Sequence, residues 1–452
     1  MDGRAAIEEL SRSLPEGTVA TDPDVIATYL QDWSRYPEVG RPLGLVRPAC
    51  AAEIQEVLRW ASSHHVPVVP RGAGSGLSGG ATAVEGGILL CTERMRSVAV
   101  DPAMRVATAE AGALNAEVKA AAAAHGLWYP PDPSSFEMCS IGGNVATNAG
   151  GMCCVKYGVT SDYVLGMRVV LADGTLVTLG GPRLKDSAGL SLTKLFVGSE
   201  GTLGVVADVT LRLLPAPPPA STVVAAFASL DRAVAAVLAL LSTVRPATLE
   251  LMDRVSINAV EDALAMDLDR SAEALLVARS DVSAAEAAKV VATFEEAGAT
   301  EVYATDDADE GEAFLAARRA VIPALDRMGD LLIEDVGVPI PKLPELVAGI
   351  GEIAARYDVT VALYAHVGDG NTHPTIVYDG SDPAGTARAR AAFGAIMDLA
   401  ISLGGTITGE HGTGRYKRPW LAAYLGDDVM ELSRRIKEAL DPDGILNPGV
   451  MF

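Results

Sequence analysis

Hydrophobic positions in the first third of the chain recur alternately at helical and at strand spacing. In "EIQEVLRWASSHHV", Ile54, Val57, Leu58 and Ala61 fall on one face of a helix, and the apolar run "VPVVPR" beyond it has strand character. "LNAEVKAAAAAHGL" predicts another helix, with Gly126 as its stop. "GMRVVLADGTLVTLG" predicts a hairpin that turns at Asp173-Gly174. The strand "TLGVVADVTLRLL" runs into "PAPPPAS", the only Pro-rich segment of the chain, read as a linker over residues 215–221.

Beyond the linker, the strand-like runs "STVVAAFA", "ATLELM" and "ALLVAR" alternate with the helical runs "LDRAVAAVLALLSTV" and "SAAEAAKVVATFEEAG". Such alternation predicts an α+β or α/β layer in which helices cover a sheet. The charge-free apolar stretch Ala233 to Val244 is too short to cross a bilayer and reads as a buried helix. From about Tyr416 the pattern is helix-rich and closes in "LDPDGILNPGVMF". A chain of 452 residues exceeds what one hydrophobic core usually organises, so two or more domains are expected.

Charge narrows the function. Lys and Arg number 36 against 58 Asp and Glu, a formal net charge of −22. That excludes broad contact with nucleic acid or anionic lipid, and an anionic ligand must be met locally. The start, "MDGRAAIEEL", carries acids where a secretory signal has Lys or Arg, so a cytoplasmic protein is expected, with peripheral association to a membrane left open. Five cysteines, Cys50, Cys91, Cys139, Cys153 and Cys154, show no metal spacing and read as reduced thiols.

The segment "PRGAGSGLSGGA" (Pro70 to Ala81) comes after a strand and is dense in glycine. Such a loop brings backbone N–H groups against a ligand and makes a nest for an anion. Its spacing is not the dinucleotide fingerprint. "YPPDPSS", "SIGGNVATNAGG", "KYGVTSDYV" and "FVGSEGTLGVV" add four further Gly or Pro turns before residue 207. With these motifs the chain resembles the FAD-binding domain of vanillyl-alcohol oxidase-type flavoenzymes. Their order is similar to that in D-lactate dehydrogenases and the flavin subunit of glycolate oxidase, from "YLQDWSRYPEVGRPLGLVRPA" to "LNPG".

The resemblance implies an α+β protein with an FAD-binding domain over 1–215. A substrate (cap) domain with an antiparallel sheet would span 216–415, and 416–452 would return to the FAD domain. It places Arg71, Gly72, Ala73, Gly74, Ser75, Gly76, Leu77 and Ser78 around the FAD pyrophosphate. Pro131, Asp132, Ser140, Gly143, Asn144, Asn148 and Gly151 would line the flavin side, and Glu200, Gly201 and Val206 the adenosine side, with Asn447 of "LNPG" also at the cofactor. No His or Cys stands in "PRGAGSGLSGG", so FAD is expected without a covalent tether.

Three of the six histidines lie in glycine-rich turns, in "YAHVGDGNTHPTI" and "GGTITGEHGTGRYKRP". They are either core histidines satisfied by one hydrogen bond each or parts of one site. "GDGN" is strong turn chemistry that can bring His366 and His373 to one end of a hairpin. Two imidazoles and a carboxylate are a common ligand set for a divalent ion. The resemblance assigns His366, His373 and Glu410 as metal ligands, with Zn²⁺ foremost and Mn²⁺ or Fe²⁺ as options, and His411 as the catalytic base. It assigns Arg318 in "FLAARRAVIPAL" to the substrate carboxylate, with Arg319 as a solvated helix residue.

The activity that this resemblance implies is FAD-dependent oxidation of a small D-2-hydroxy acid, of the D-lactate or glycolate type, to the 2-oxo acid. Ile322 and Ile333 stand where 2-hydroxyglutarate enzymes carry polar or cationic residues, which favours a monocarboxylate. The alternatives are a D-2-hydroxyglutarate-type dehydrogenase, a flavin-dependent ether-lipid synthase, which the Glu410-His411 pair counts against, and a non-catalytic flavoprotein subunit. No cysteine pattern for an iron–sulfur cluster exists, so electrons are expected to leave to a quinone or a carrier protein. Oligomeric state, a homodimer among the options, is not set by these motifs.

Overall fold

A computed structural model describes residues 3–452. The chain divides into two compact units: Met1–Gly150, Val159–Ala216 and Glu410–Phe452 form the first, and Gly151–Gly158 with Pro217–Gly409 the second. The outward crossing falls at the Pro-rich linker. The first unit resumes at Glu410, upstream of Tyr416, and the short piece Gly151–Gly158 is counted with the second unit.

In the first unit, helix Ala51–His64 buries Ile54, Val57, Leu58, Trp60 and Ala61 and ends at His65, whose φ of 52° makes a left-handed cap. Strand Val68–Arg71 comes next. It pairs in parallel with Ile88–Cys91, which pairs in parallel with Gly44–Val46, and Val19–Ala20 closes one edge antiparallel. Leu45, Val46, Val68, Val69, Ile88, Leu89 and Leu90 are fully buried. Continuous apolar runs of this kind belong to strands covered on both faces. The C-terminal segment lies against the other edge: Val68 N–H donates to Ile445 O, and Asn447 N–H donates to Val68 O, both at 2.8 Å.

A second, antiparallel sheet of this unit runs in the order Val98–Asp101, Val106–Glu110, Val205–Arg212, Val164–Val170, Leu176–Gly180. Its last two strands are the hairpin expected at Asp173-Gly174, where Gly174 takes a φ of +79°. Helices Asn115–Ala123 and Ile141–Thr147 bury Val118, Ala122, Ile141 and Val145 in the apolar cluster under this sheet.

The second unit is built on one eight-stranded antiparallel sheet. Its main path runs Glu301–Thr305, Ser221–Phe227, Ala274–Ser280, Thr248–Asp253, Thr360–His366, Asn371–Tyr378, Asp330–Ile333, and Val336–Gly337 also pairs with Asn371–Tyr378. Side chains alternate across it. Val224, Ala226, Met252, Leu275, Val277, Ala362 and Tyr364 share one cluster, joined by Leu315, Val321 and Leu325 from helices Ala308–Arg319 and Val321–Leu325. Helix Leu230–Leu241, the apolar stretch read as buried, is one of the covering helices. Among the described residues, no helix is long and apolar enough to cross a membrane.

Candidate functional site

The glycine-rich loop leaves strand Val68–Arg71 in the first unit. Its carbonyls are used by protein: Gly74 O accepts from Trp33 N–H and Gly76 O from Ser34 N–H, both at 3.1 Å, and Ser78 O accepts from Arg415 N–H at 2.8 Å. Among the described residues, the N–H groups of Gly74 through Gly80 have no protein acceptor, whereas that of Ala73 donates to Ser140 Oγ at 3.3 Å. A row of free amides is the donor set a pyrophosphate requires. Two of its glycines have no room for a side chain. A Cβ at Gly72 would collide with Ser140 Oγ, and one at Gly74, where φ is +76°, would collide with the Arg71 guanidinium. Arg71 is buried, donates from Nη1 to Gln31 O at 3.0 Å and lies 5.6 Å over the Tyr29 ring.

The other residues read as cofactor contacts fall into two groups. Ser140 caps helix Ile141–Thr147 by accepting from Gly143 N–H, and Asn148 ends that helix in the left-handed region, its Oδ1 accepting from Ser161 N–H at 2.9 Å. Asn144 is buried one turn into the helix, and Pro131 O accepts from Asn115 Nδ2 at 3.2 Å. These belong to the first unit, as do Asp132, Gly201 and Val206, whereas Gly151 falls in the second. Glu200 and Asn447 are used by the protein itself. Glu200 accepts from Thr413 N–H and Gly414 N–H, and Asn447 Nδ2 donates to Glu200 O at 2.7 Å and Gly80 O at 2.9 Å. Burial pushes the Glu200 carboxyl up to about 7, against the pull of those two N–H donors and of Lys417. Ser78 Oγ, at the end of the glycine loop, donates to His411 O at 3.0 Å.

The histidine hairpin lies in the second unit. His366 ends strand Thr360–His366, and His373 is on the returning strand Asn371–Tyr378, paired with Tyr364. The period of two puts Tyr364, His366, His373 and Thr375 on one face with Glu250 and Met252 of the neighbouring strand. The two imidazole centroids are 5.0 Å apart with the rings perpendicular. Both rings are buried. The tight turn between the strands therefore brings the pair together, as its composition predicts.

Arg318 reaches the same face from the last turn of helix Ala308–Arg319. Its side chain is only 3 % exposed, its Nε is 3.0 Å from Glu250 Oε2, and its guanidinium lies 4.8 Å over the Tyr364 ring. The Nε contact is close but off-axis, an ion pair without an aligned hydrogen bond, and Nη2 has no hydrogen-bond partner among the described residues. Arg319 points elsewhere and pairs with Glu312. Glu250 also takes His366: Nδ1 is 2.9 Å from each carboxylate oxygen.

Asp335 organises the other end of the hairpin. It accepts from Asn371 Nδ2 at 3.0 Å, Thr408 Oγ1 at 2.6 Å and Gly409 N–H at 2.9 Å, and its Oδ1 is 3.6 Å from His373 Nδ1. The chain passes from Gly409 directly into Glu410 and His411. Glu250 and Asp335 were not singled out from the sequence. Their signal was present, an acid inside an apolar strand in "ATLELM" and paired acids after one in "LLIEDVGVP", but only strand pairing tells which basic group each meets. Cys91, Cys139 and Cys153 are buried, and none of the five cysteines is in a disulfide.

A glycine-rich loop of free amides in one unit and a buried His/Glu/Arg face in the other are the features of a flavin-dependent oxidoreductase, and the comparisons show that class. Residues 42–180 match the family model described as "FAD binding domain", and residues 216–451 match "FAD linked oxidases, C-terminal domain". The chain is 39 % identical over 418 residues to the glycolate oxidase subunit GlcD of Bacillus subtilis, covering 91 % of this chain and 89 % of the relative. It is 36 % identical to a D-lactate dehydrogenase of Archaeoglobus fulgidus (91 % and 92 %) and 33 % identical to a D-2-hydroxyglutarate dehydrogenase of Xanthomonas citri (99 % and 96 %). In fold it is similar to p-cresol methylhydroxylase, with a TM-score of 0.85 at 17 % identity over 100 % of this chain and 97 % of that one. It is also similar to alkyldihydroxyacetonephosphate synthase, with a TM-score of 0.76 at 19 % identity over 98 % and 85 %. The chain belongs to the FAD-linked oxidase family and has the vanillyl-alcohol oxidase-type fold.

Proposed function

We propose that the protein oxidises a small D-2-hydroxy acid, of the D-lactate or glycolate type, to the 2-oxo acid. The observation that carries this reading is Arg318, buried on the face that holds His366 and His373, with Nη2 left for an incoming acceptor. A guanidinium meets a carboxylate in two parallel hydrogen bonds, which a lysine does not match.

Two groups complete the chemistry. The free amides and side-chain-excluding glycines of the loop fit the FAD pyrophosphate, and FAD, when bound, supplies the two-electron acceptor for the hydride on the substrate's Cα. His373 and Asp335, in the second unit, are donors that fit a divalent ion, and the His366 ring stands outside that pair at 5.0 Å from the His373 ring. His366, His373 and Glu410 would hold it, with Asp335 added to the set read from the sequence. Such an ion supplies positive charge that acidifies a hydroxyl.

The remaining work falls to the chain. Arg318 binds and orients the carboxylate, with its own plane set by Glu250 and Tyr364. His411 accepts the hydroxyl proton as the hydride leaves Cα, so the alcohol loses one proton and one hydride and becomes the ketone. Ile333 pairs with Thr375, whose Oγ1 donates to Tyr364 Oη at 3.0 Å, and therefore lies on the Arg318 face. Ile322 packs against the same apolar cluster. A second carboxylate there would lack a partner, which supports a monocarboxylate. Electrons then pass to an external acceptor, a quinone or a carrier protein.

Anaerobic titration with a panel of D- and L-2-hydroxy acids, before and after chelator treatment, tests this. D-lactate or glycolate should bleach the flavin, and chelation should slow it. Bleaching by D-2-hydroxyglutarate alone would overturn the substrate assignment, and bleaching by none would overturn the reaction.

A further inference from the structure

In the chemistry above Glu250 only steadies Arg318, yet it is the acid about which the site is arranged. It sits fully buried in the middle of strand Thr248–Asp253. Its carboxylate touches two basic groups from different elements: Arg318 Nε at 3.0 Å from a helix end, and His366 Nδ1 at 2.9 Å from the adjacent strand. A carboxylate so enclosed loses its hydration unless its partners compensate, so an acid kept here for packing alone is unfavourable. An apolar residue would suit the surrounding cluster of Met252, Leu275 and Val277 better.

We propose that Glu250 is a positioning residue that sets the metal end and the carboxylate end of the site together. A carboxylate facing Arg318 accepts hydrogen bonds only, so His366 must carry its proton on Nδ1. That fixes the tautomer and leaves the Nε2 lone pair as the ligand atom. The same carboxylate draws Nε of Arg318 inward and, with the Tyr364 ring under the guanidinium plane, leaves the far nitrogens to face substrate. A shift of this one side chain therefore moves both a ligand imidazole and the clamp. The proposal rests on the metal-and-clamp reading above.

The test compares Glu250→Gln and Glu250→Asp with the wild-type holoenzyme. It uses competition of bound Zn²⁺ or Mn²⁺ against a chelator of known affinity, steady-state kinetics with the preferred 2-hydroxy acid, flavin content and thermal unfolding. The amide keeps the shape but removes the charge and permits either tautomer. Glu250→Gln should weaken metal binding by about 10–100-fold, the usual loss when a partner behind a ligand histidine is removed. KM should rise by roughly tenfold or more, with flavin content unchanged, as expected when a charged partner orienting the clamp is lost. Glu250→Asp keeps the charge and should restore part of both losses. Metal affinity and KM within about twofold of wild type in Glu250→Gln would overturn the proposal, as would loss of only one of the two. Should the glutamine variant fail to fold, the aspartate variant decides. Its shorter arm meets both partners less closely, so wild-type metal affinity and KM in it would overturn the proposal too. If the functional reading itself is wrong, wild-type flavin will not bleach with any 2-hydroxy acid. If only this inference is wrong, bleaching stays intact.

Discussion

The carboxylate of Glu200 accepts the N–H groups of Thr413 and Gly414 at 2.7 and 2.8 Å. It thereby fixes the backbone just after His411, while Ser78 holds the His411 carbonyl. The family resemblance places Glu200 beside adenosine, and its carboxylate also serves this turn. Burial holds its carboxyl at about 7, above the ordinary 4.5. The folded chain thus binds a proton that the unfolded chain releases between those values. Its contribution to stability is fully present below about pH 4.5 and is lost as pH rises through 7, on the order of 3 kcal/mol in all. Asp253, pushed up to about 6 by burial, acts in the same direction over part of that window. Denaturant unfolding at intervals from pH 4.5 to 8 should show Glu200→Gln with a shallower decline than wild type. An identical decline would assign the effect elsewhere.

The proposed role of the glycine-rich loop predicts a change in colour. Gly72→Ala puts a methyl into Ser140 Oγ, and the loop must move to admit it. The purified variant should carry far less flavin than wild type, read as visible absorbance per protein. Gly351→Ala, whose Cβ would meet nothing within 4 Å, serves as the control and should stay yellow.

Arg318→Lys keeps the charge and loses the paired geometry. Losing one hydrogen bond to a charged group, about 1.5–3 kcal/mol, predicts a fall in kcat/KM of roughly 10–150-fold. The loss should fall mostly on KM. Arg319→Lys, at a residue that pairs with Glu312, should leave both constants near wild type.

His411→Ala removes the proposed base and leaves the glycine loop alone. Turnover should drop by about two to four orders of magnitude, the usual share of general base catalysis, with flavin content unchanged. Near-normal turnover would remove His411 from the role.

The thiols make a simpler forecast. Cys50 is exposed, whereas burial pushes the Cys91 thiol up to about 11. Thiolate is the reactive form, so a disulfide reagent at pH 8 should label Cys50 quickly and reach Cys91 only on unfolding. Peptide mapping after timed labelling distinguishes the two.

Much of this protein is written locally. The stripe Ile54, Val57, Leu58 and Ala61, the Asp173-Gly174 turn and the Pro-rich crossing are short-range signals, and each appears where its residues place it. The glycine-rich loop and the "GDGN" hairpin are legible for the same reason, since turn chemistry depends on a few adjacent residues. Glu250 and Asp335 were hidden because a buried acid is explained only by its partner. Glu250 meets Arg318 and His366, 68 and 116 positions away along the chain, and Asp335 meets Thr408 and Gly409. Strand register and helix packing decide those encounters. The sequence by itself determined which elements form and which loop is rich in free backbone amides, because propensity and turn geometry act over neighbours. Only the tertiary structure decided which charges face one another, because burial turns a contact between distant residues into a requirement.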